Sequence, residues 1–224
     1  MDLRSTYRRC RFWQKKKLIF SNEASFDLGG YVNKQNCHTW GTENPHTYIE
    51  KPTLPKRVTV WCGFWSRVII GLFFFENEQG EIVTVNGDRY QAMLNEFLFT
   101  KIEERDINSI WFQQDGATCH TAKATLDVLH PVFEDRIISR RADVGWPPRS
   151  CDLTPLDYYL WVAVNDKCYA GKPQTIDALK DSIREAIGEI QLHRIDNVLT
   201  KLDRSCRLLH GQPRQPFEWN YFPL

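Results

Sequence analysis

Acidic or near-acidic residues close three separate segments of the chain. Asn22-Glu23 ends the apolar run Leu18-Ile19-Phe20, Asp115 ends "SIWFQQD", and Asp152 and Asp157 bracket the helix entry after "WPPRSCDLTPLD". Between Asn22 and Asp115 lie 92 residues (positions 23–114), and between Asp115 and Asp157 lie 41 (positions 116–156). Acids at the same ends of nearby strands can share a metal, because strands two apart in a sheet stand only about 10 Å from each other. An adjacent helix can supply a third. The chemistry open to such a cluster is two-metal phosphoryl transfer, in which two ions about 3.5–4 Å apart clamp the attacking and leaving oxygens. Mg2+ and Mn2+ are hard cations that take carboxylate oxygens. The pattern alone does not separate this from the ordinary preference of Asp for helix starts, and both readings stay open here.

The elements that must hold these residues follow from the rest of the chain. With 224 residues, 42% hydrophobic and 25% charged, it has the size and balance of a globular domain. The net charge of +1 provides no overall field for a polyanion, but residues 1–17 carry Arg4, Arg8, Arg9, Arg11 and Lys15–Lys17 against Asp2 alone. That cluster reads as a solvated tail, or as a nuclear-localisation or nucleic-acid patch. Seven scattered cysteines without a C-x-x-C pair argue against a disulfide framework and for a reducing compartment. No apolar run approaches 18 residues, so no membrane span is expected. "VIIGLFFFE" at 68–76 reads as a buried strand instead.

Residues 17–33 suggest a hairpin turning at Gly29-Gly30, followed by a proline-punctuated loop or arm over 34–56 that carries Lys34, Lys51 and Lys56, with Arg57 just beyond it. Alternation then predicts strands over 57–65, 67–76 and 81–87. Tyr90, Met93, Leu94, Phe97 and Leu98 recur at helical spacing. A strand over 107–117 ends near Asp115, Thr118 to His130 reads as a helix, and 136–140 as a short strand. Residues 141–155 read as a loop. Three helices follow, marked by Leu156/Leu160/Val164/Cys168, by Ile176/Leu179/Ile183/Ile187 and by Ile195/Val198/Leu202/Cys206. Strands first and crossovers later fit a mixed sheet with helices on its faces. No glycine-rich dinucleotide fingerprint or phosphate-binding loop is present.

"FSNEASFDLGGYVNKQNCHTWGTENP", "WFQQDGATCHTA" and "WPPRSCDLTPLDYYLW" resemble the catalytic domain of mariner-like transposases, over roughly residues 17–210 and in the family's order. The resemblance implies an α/β, RNase H-like fold, a five-stranded mixed sheet flanked by helices. It leaves residues 1–16 as a basic tail and 211–224 as a C-terminal tail. It also implies a Mg2+- or Mn2+-binding acidic triad that cleaves and rejoins DNA in the nucleus, a possible homodimer, and no membrane role. The family's second acid matches Asp115 and its third Asp157, so these two are the expected metal ligands and, with position 22, the expected catalytic set. Asp152 matches the motif's other acid, which is not usually a ligand. The chain departs from the family in three ways: Asn22 stands at the first acid, Cys151 stands where Pro is usual, and the second spacing is long. The helix-turn-helix domains that precede the family's catalytic domain do not appear ahead of this one.

An amide at position 22 offers one neutral oxygen and an NH2 donor in place of a carboxylate. Cleavage is therefore expected to be lost or crippled. Strand alternation turns Glu23 to the face opposite Asn22, away from Asp115. Further DNA contacts are expected from His120, Arg140, Arg141 and Arg149; for His120 a role as a plain first-turn helix residue stands equally. Trp146-Pro147-Pro148 reads as a rigid loop anchored by a buried Trp, with base stacking the other option. Neither Cys37-His38 nor Cys119-His120 has zinc spacing. A non-enzymatic binder of nucleic acid or a partner, derived from a transposase, is the alternative function, and an element remnant without function is a third.

Overall fold

The computed structural model describes residues 18–28, 56–65, 68–105, 109–145, 154–191, 194–195 and 197–198. β1 (Leu18–Asp27) is a ten-residue strand whose first five residues are all buried. Such a run marks a central strand covered on both faces. β2 (Arg57–Trp65) and β3 (Val68–Phe74) continue from it as an antiparallel meander. β4 (Trp111–Gln113), β5 (Ile137–Ser139) and β6 (Val144–Gly145) add in parallel on the other side. The sheet order is β3-β2-β1-β4-β5-β6.

The mixed α/β class is as expected, with six strands where five were expected. The sixth is the two-residue β6, inside a segment that reads as loop because two residues carry no visible alternation. β1 pairs with β2, Asn22 opposite Cys62, while the Gly29-Gly30 turn and return arm of the hairpin expected over 17–33 lie outside the described residues. Residues 81–87 form no strand. A single bridge joins Glu76 to Ile82, while Val83 and Val85 pack against the core.

Helices cover both faces. α1 (Gly87–Met93) opens on Asn86, whose side chain accepts from the Arg89 N–H, and runs through a π-helical turn (Leu94–Leu98) into α2 (Phe99–Glu103). The helix expected from Thr118 to His130 is two, α3 (Thr118–Thr121) and α4 (Lys123–Phe133), parted at Ala122, whose backbone is extended. A π-helical turn (Leu156–Leu160) leads into α5 (Trp161–Cys168), and α6 (Ile176–Gly188) is capped by Thr175. Of the third C-terminal helix, only four residues lie among those described, and Ile195 is fully buried.

Period-two alternation along β1 sorts the core. Leu18, Phe20 and Phe26 join Val58, Val60 and Phe64 under α5 and α6. Ile19 and Trp61 join Tyr90, Met93, Leu129 and Phe133 under α1 and α4. Each large side chain so buried contributes about 1.5–3 kcal/mol, which fixes the register: a slip of one residue would exchange the two faces.

Candidate active site

The register of β1 against β4 makes the opening. Their pairing ends at Phe20 opposite Gln113, closed by the Ser21 hydroxyl donating to the Gln113 carbonyl at 2.8 Å. β1 runs on for seven residues, while the β4 chain turns away through Gln114 and Asp115. The gap lies at the carboxyl ends of the parallel strands, where open α/β sheets place their ligands.

Asn22 projects into this gap on the face of Leu18 and Phe20 and is 6% exposed. Its Oδ1 accepts from the Glu23 N–H at 2.9 Å, and its Nδ2 donates to the Asp157 carboxylate. Asp157 sits in the first turn of the Leu156–Leu160 segment, where its N–H donates to the Thr154 carbonyl at 3.0 Å. π-helical turns of this kind recur at functional sites. Burial, then the negative charge of Asp115, push the Asp157 carboxyl up to about 6, against the pull of the Asn22 donor. Asn22 and Asp157 therefore meet, and Asp115 lies close enough for its charge to be felt by Asp157.

Asp115 is held differently. Its Oδ1 accepts from the Ala117 N–H at 2.9 Å and from His120 Nδ1 at 2.6 Å. Burial raises the Asp115 carboxyl, but the His120 hydrogen bond, the His120 charge and the Ala117 N–H outweigh it, and the net direction is down. The other nitrogen of His120, Nε2, lies 3.2 Å from the Glu23 carboxylate oxygens. Glu23 does point to the face opposite Asn22, as alternation requires, and β1–β2 pairing is unbroken by any bulge. It is tied to Asp115 nonetheless, because His120 spans the strand ends.

His120 is 1% exposed, and its ring lies 4.4 Å from that of Tyr90 on α1. The Tyr90 hydroxyl donates to Gln114 Oε1 at 2.9 Å, and Gln114 Nε2 donates to the His120 carbonyl at 2.8 Å and to Ser139 Oγ at 3.3 Å. Burial pulls the His120 ring down in pKa; Tyr90, Glu23 and the Asp115 hydrogen bond more than offset it, and the ring stands well above its ordinary value. Both ring nitrogens thus face carboxylates, the arrangement of an imidazolium.

Tyr90 and Gln114 were not singled out as site residues by the sequence, and Glu23 was set aside because alternation turns it from Asn22. Gln113-Gln114 offered a signal, since two amides end an otherwise apolar strand. Arg140 follows β5 and is exposed; a Cβ on Gly116 would lie 3.4 Å from its Cδ, so its stem crosses the turn beside Asp115. Arg141 is also exposed. Arg149, Cys151, Asp152, Trp146-Pro147-Pro148 and Cys37-His38 lie outside the described residues. Arg57, considered for an arm, donates to Asp27 at 2.7 Å. Among the described residues no three His, Cys, Asp or Glu side chains form a metal-holding group. Positions 22, 115 and 157 together are one amide and two carboxylates.

The fold is that of a transposase catalytic domain. The chain is similar to the catalytic domain of the Mos1 mariner transposase, at a TM-score of 0.64 and 17% identity over 96% of this chain and 98% of that one. It is similar to the Mos1 catalytic domain solved with Raltegravir and Mg, at 0.63 and 18% identity over 96% and 99%. Against the Mos1 mariner paired-end complex with Mn the values are 0.68 and 17%, covering 96% of this chain and 65% of that one. The chain therefore spans nearly all of the Mos1 catalytic domain but about two thirds of the Mos1 chain in its DNA complex. The sequence matches no family model and no curated protein.

Proposed function

We propose that the chain is a mariner-like transposase catalytic domain for metal-dependent DNA strand cleavage and transfer, crippled because Asn22 holds the place of the first carboxylate. One observation carries this reading: Asn22 and Asp157 are in contact at the carboxyl ends of the parallel strands, within range of the charge on Asp115. Asp115 and Asp157 fit one Mg2+ or Mn2+ ion, since both are carboxylates and, among the described residues, the Asp157 side chain is hydrogen-bonded by a neutral amide. When bound, such an ion would polarise a phosphate and acidify an attacking water. Asp115 keeps Oδ2 for this purpose; among the described residues Oδ1 takes both of its donors. Asn22 offers an ion only a neutral oxygen that already accepts from the Glu23 N–H, and its N–H side is turned to Asp157. Arg140, over the Asp115 turn, suits a DNA phosphate. Action on chromosomal DNA would place the protein in the nucleus, and pairing of two DNA ends would call for a homodimer.

The test is nicking of supercoiled DNA in Mn2+. The wild-type chain yields trace product, and Asn22→Asp raises the rate by at least ~100-fold, the upper end of what losing a ligand-supporting group costs. No gain on restoring the acid would end this reading. A second reading, a non-enzymatic DNA-binding protein, is favoured by the internal pairing of Asp115, Asp157 and Glu23, each with a protein donor. It requires DNA binding without divalent metal that ignores both Asn22→Asp and Asp115→Ala.

A further inference from the structure

We infer that Glu23, acting through His120, is the positioning residue that aims Asp115. The inference rests on the reading of Asp115 as a metal-facing carboxylate and extends it to the group that orients it.

Asp115 lies beyond the last residue of β4, so no strand ladder fixes it. A carboxylate on such a segment keeps rotational freedom unless its oxygens are held. Two donors meet on a single oxygen, Oδ1: the Ala117 N–H and His120 Nδ1. Among the described residues they leave Oδ2 as the oxygen on offer, so Asp115 presents one donor atom in one direction.

His120 must itself be fixed for this to work, and it is constrained from three sides. The Tyr90 ring packs against its ring. Gln114, itself held by Tyr90 and Ser139, binds its backbone carbonyl. Glu23 takes Nε2. The first two set the depth and tilt of the ring. Glu23 holds Nε2 and so fixes the direction in which the opposite edge of the ring, Nδ1, meets Asp115. A carboxylate behind the histidine that touches the reacting group is a general device for fixing a ring's orientation. Glu23 suits the task by location. It is 14% exposed at the rim of β1, on the face from which His120 approaches, and 97 residues from it in sequence.

The experiment has two readouts, both in the Asn22→Asp background with Glu23→Ala and Glu23→Gln added. The first is the pair of His120 ring nitrogen shifts by NMR in metal-free protein. The second is Mn2+ affinity by paramagnetic titration. Glu23→Ala moves the Nδ1 shift and weakens Mn2+ binding by ~10–100-fold, the range for groups that orient a ligand. Glu23→Gln, whose amide oxygen still accepts from Nε2, restores affinity to within about threefold. A Glu23→Ala protein that only melts lower, with both readouts unchanged, overturns the inference, as does failure of Glu23→Gln to rescue. If the background protein binds no Mn2+ at all, the metal reading falls, and the inference is then decided by the His120 shifts alone.

Discussion

The two aspartates at the mouth of the sheet are the same residue type, both partly buried, and they are driven in opposite directions. Asp115 is held below its ordinary value and Asp157 is pushed up to about 6. Burial acts on both in the same sense, so the partner makes the difference. Asp115 has a buried histidine between itself and Glu23, which supplies positive charge at hydrogen-bonding distance. Asp157 has the amide of Asn22, which donates a proton but carries no charge, and it feels Asp115 as a repelling neighbour. One corner of the site is stable in its ionised form without metal. The other is held by a neutral amide.

Removing the histidine breaks the comparison most severely. His120→Ala leaves Asp115 and Glu23 without their shared partner and opens a hole against Tyr90. The expected loss is about 3 kcal/mol or more, as for other buried ion pairs stripped of one member, read from urea unfolding. Next comes Tyr90→Phe. It leaves Gln114 Oε1 buried without its donor, at a cost of about 1–2 kcal/mol, with no change at the Asn22 corner.

The smallest effect has the opposite sign. The Asp157 carboxyl binds its proton more tightly folded, at about 6, than at the ordinary value of 3.8. Its contribution favours the fold at low pH and fades as pH rises from about 4 through 6. Asp157→Asn is therefore expected to stabilise at pH 7 by about 1 kcal/mol, after allowance for partial solvent screening, and to give no gain at pH 4. Asp115 runs the other way: its contribution is present above 3.8 and is lost as pH falls below it. Melting curves of the wild type and of Asp157→Asn across pH 4–7 separate the two aspartates.

How far the sequence revealed this depends on the range of the interaction. The face of Asn22 was readable, because Leu18, Phe20 and Phe26 share its parity along β1. The stripes of α5 and α6 were readable from their helical period. β6 was not readable, being two residues held by β5 rather than by its own pattern. The extra strand over 81–87 failed because alternating Val83 and Val85 satisfy burial without a ladder. The Glu23–His120–Asp115 linkage was invisible for a different reason. Alternation correctly sends Glu23 to the far face, and only the tertiary placement of α3 over both strand ends brings it back into the site. Segment ends picked out Asn22, Asp115 and Asp157 as candidates, but acids at strand ends and helix starts are too common to mark a site by themselves, and it was the resemblance to mariner-like transposases that set these three apart.

The central claim is that Asn22 substitutes for charge at a place built for a metal. Thermal melting of Asn22→Asp at pH 7, with and without Mn2+, tests it most directly. A third carboxylate beside Asp157 should destabilise the metal-free protein by about 2 kcal/mol through like-charge repulsion. Saturating Mn2+ should reverse that loss, because a ligand that binds only the folded state stabilises it by mass action, while the wild type shifts far less. An Asn22→Asp protein that melts with the wild type, indifferent to Mn2+, would contradict the account.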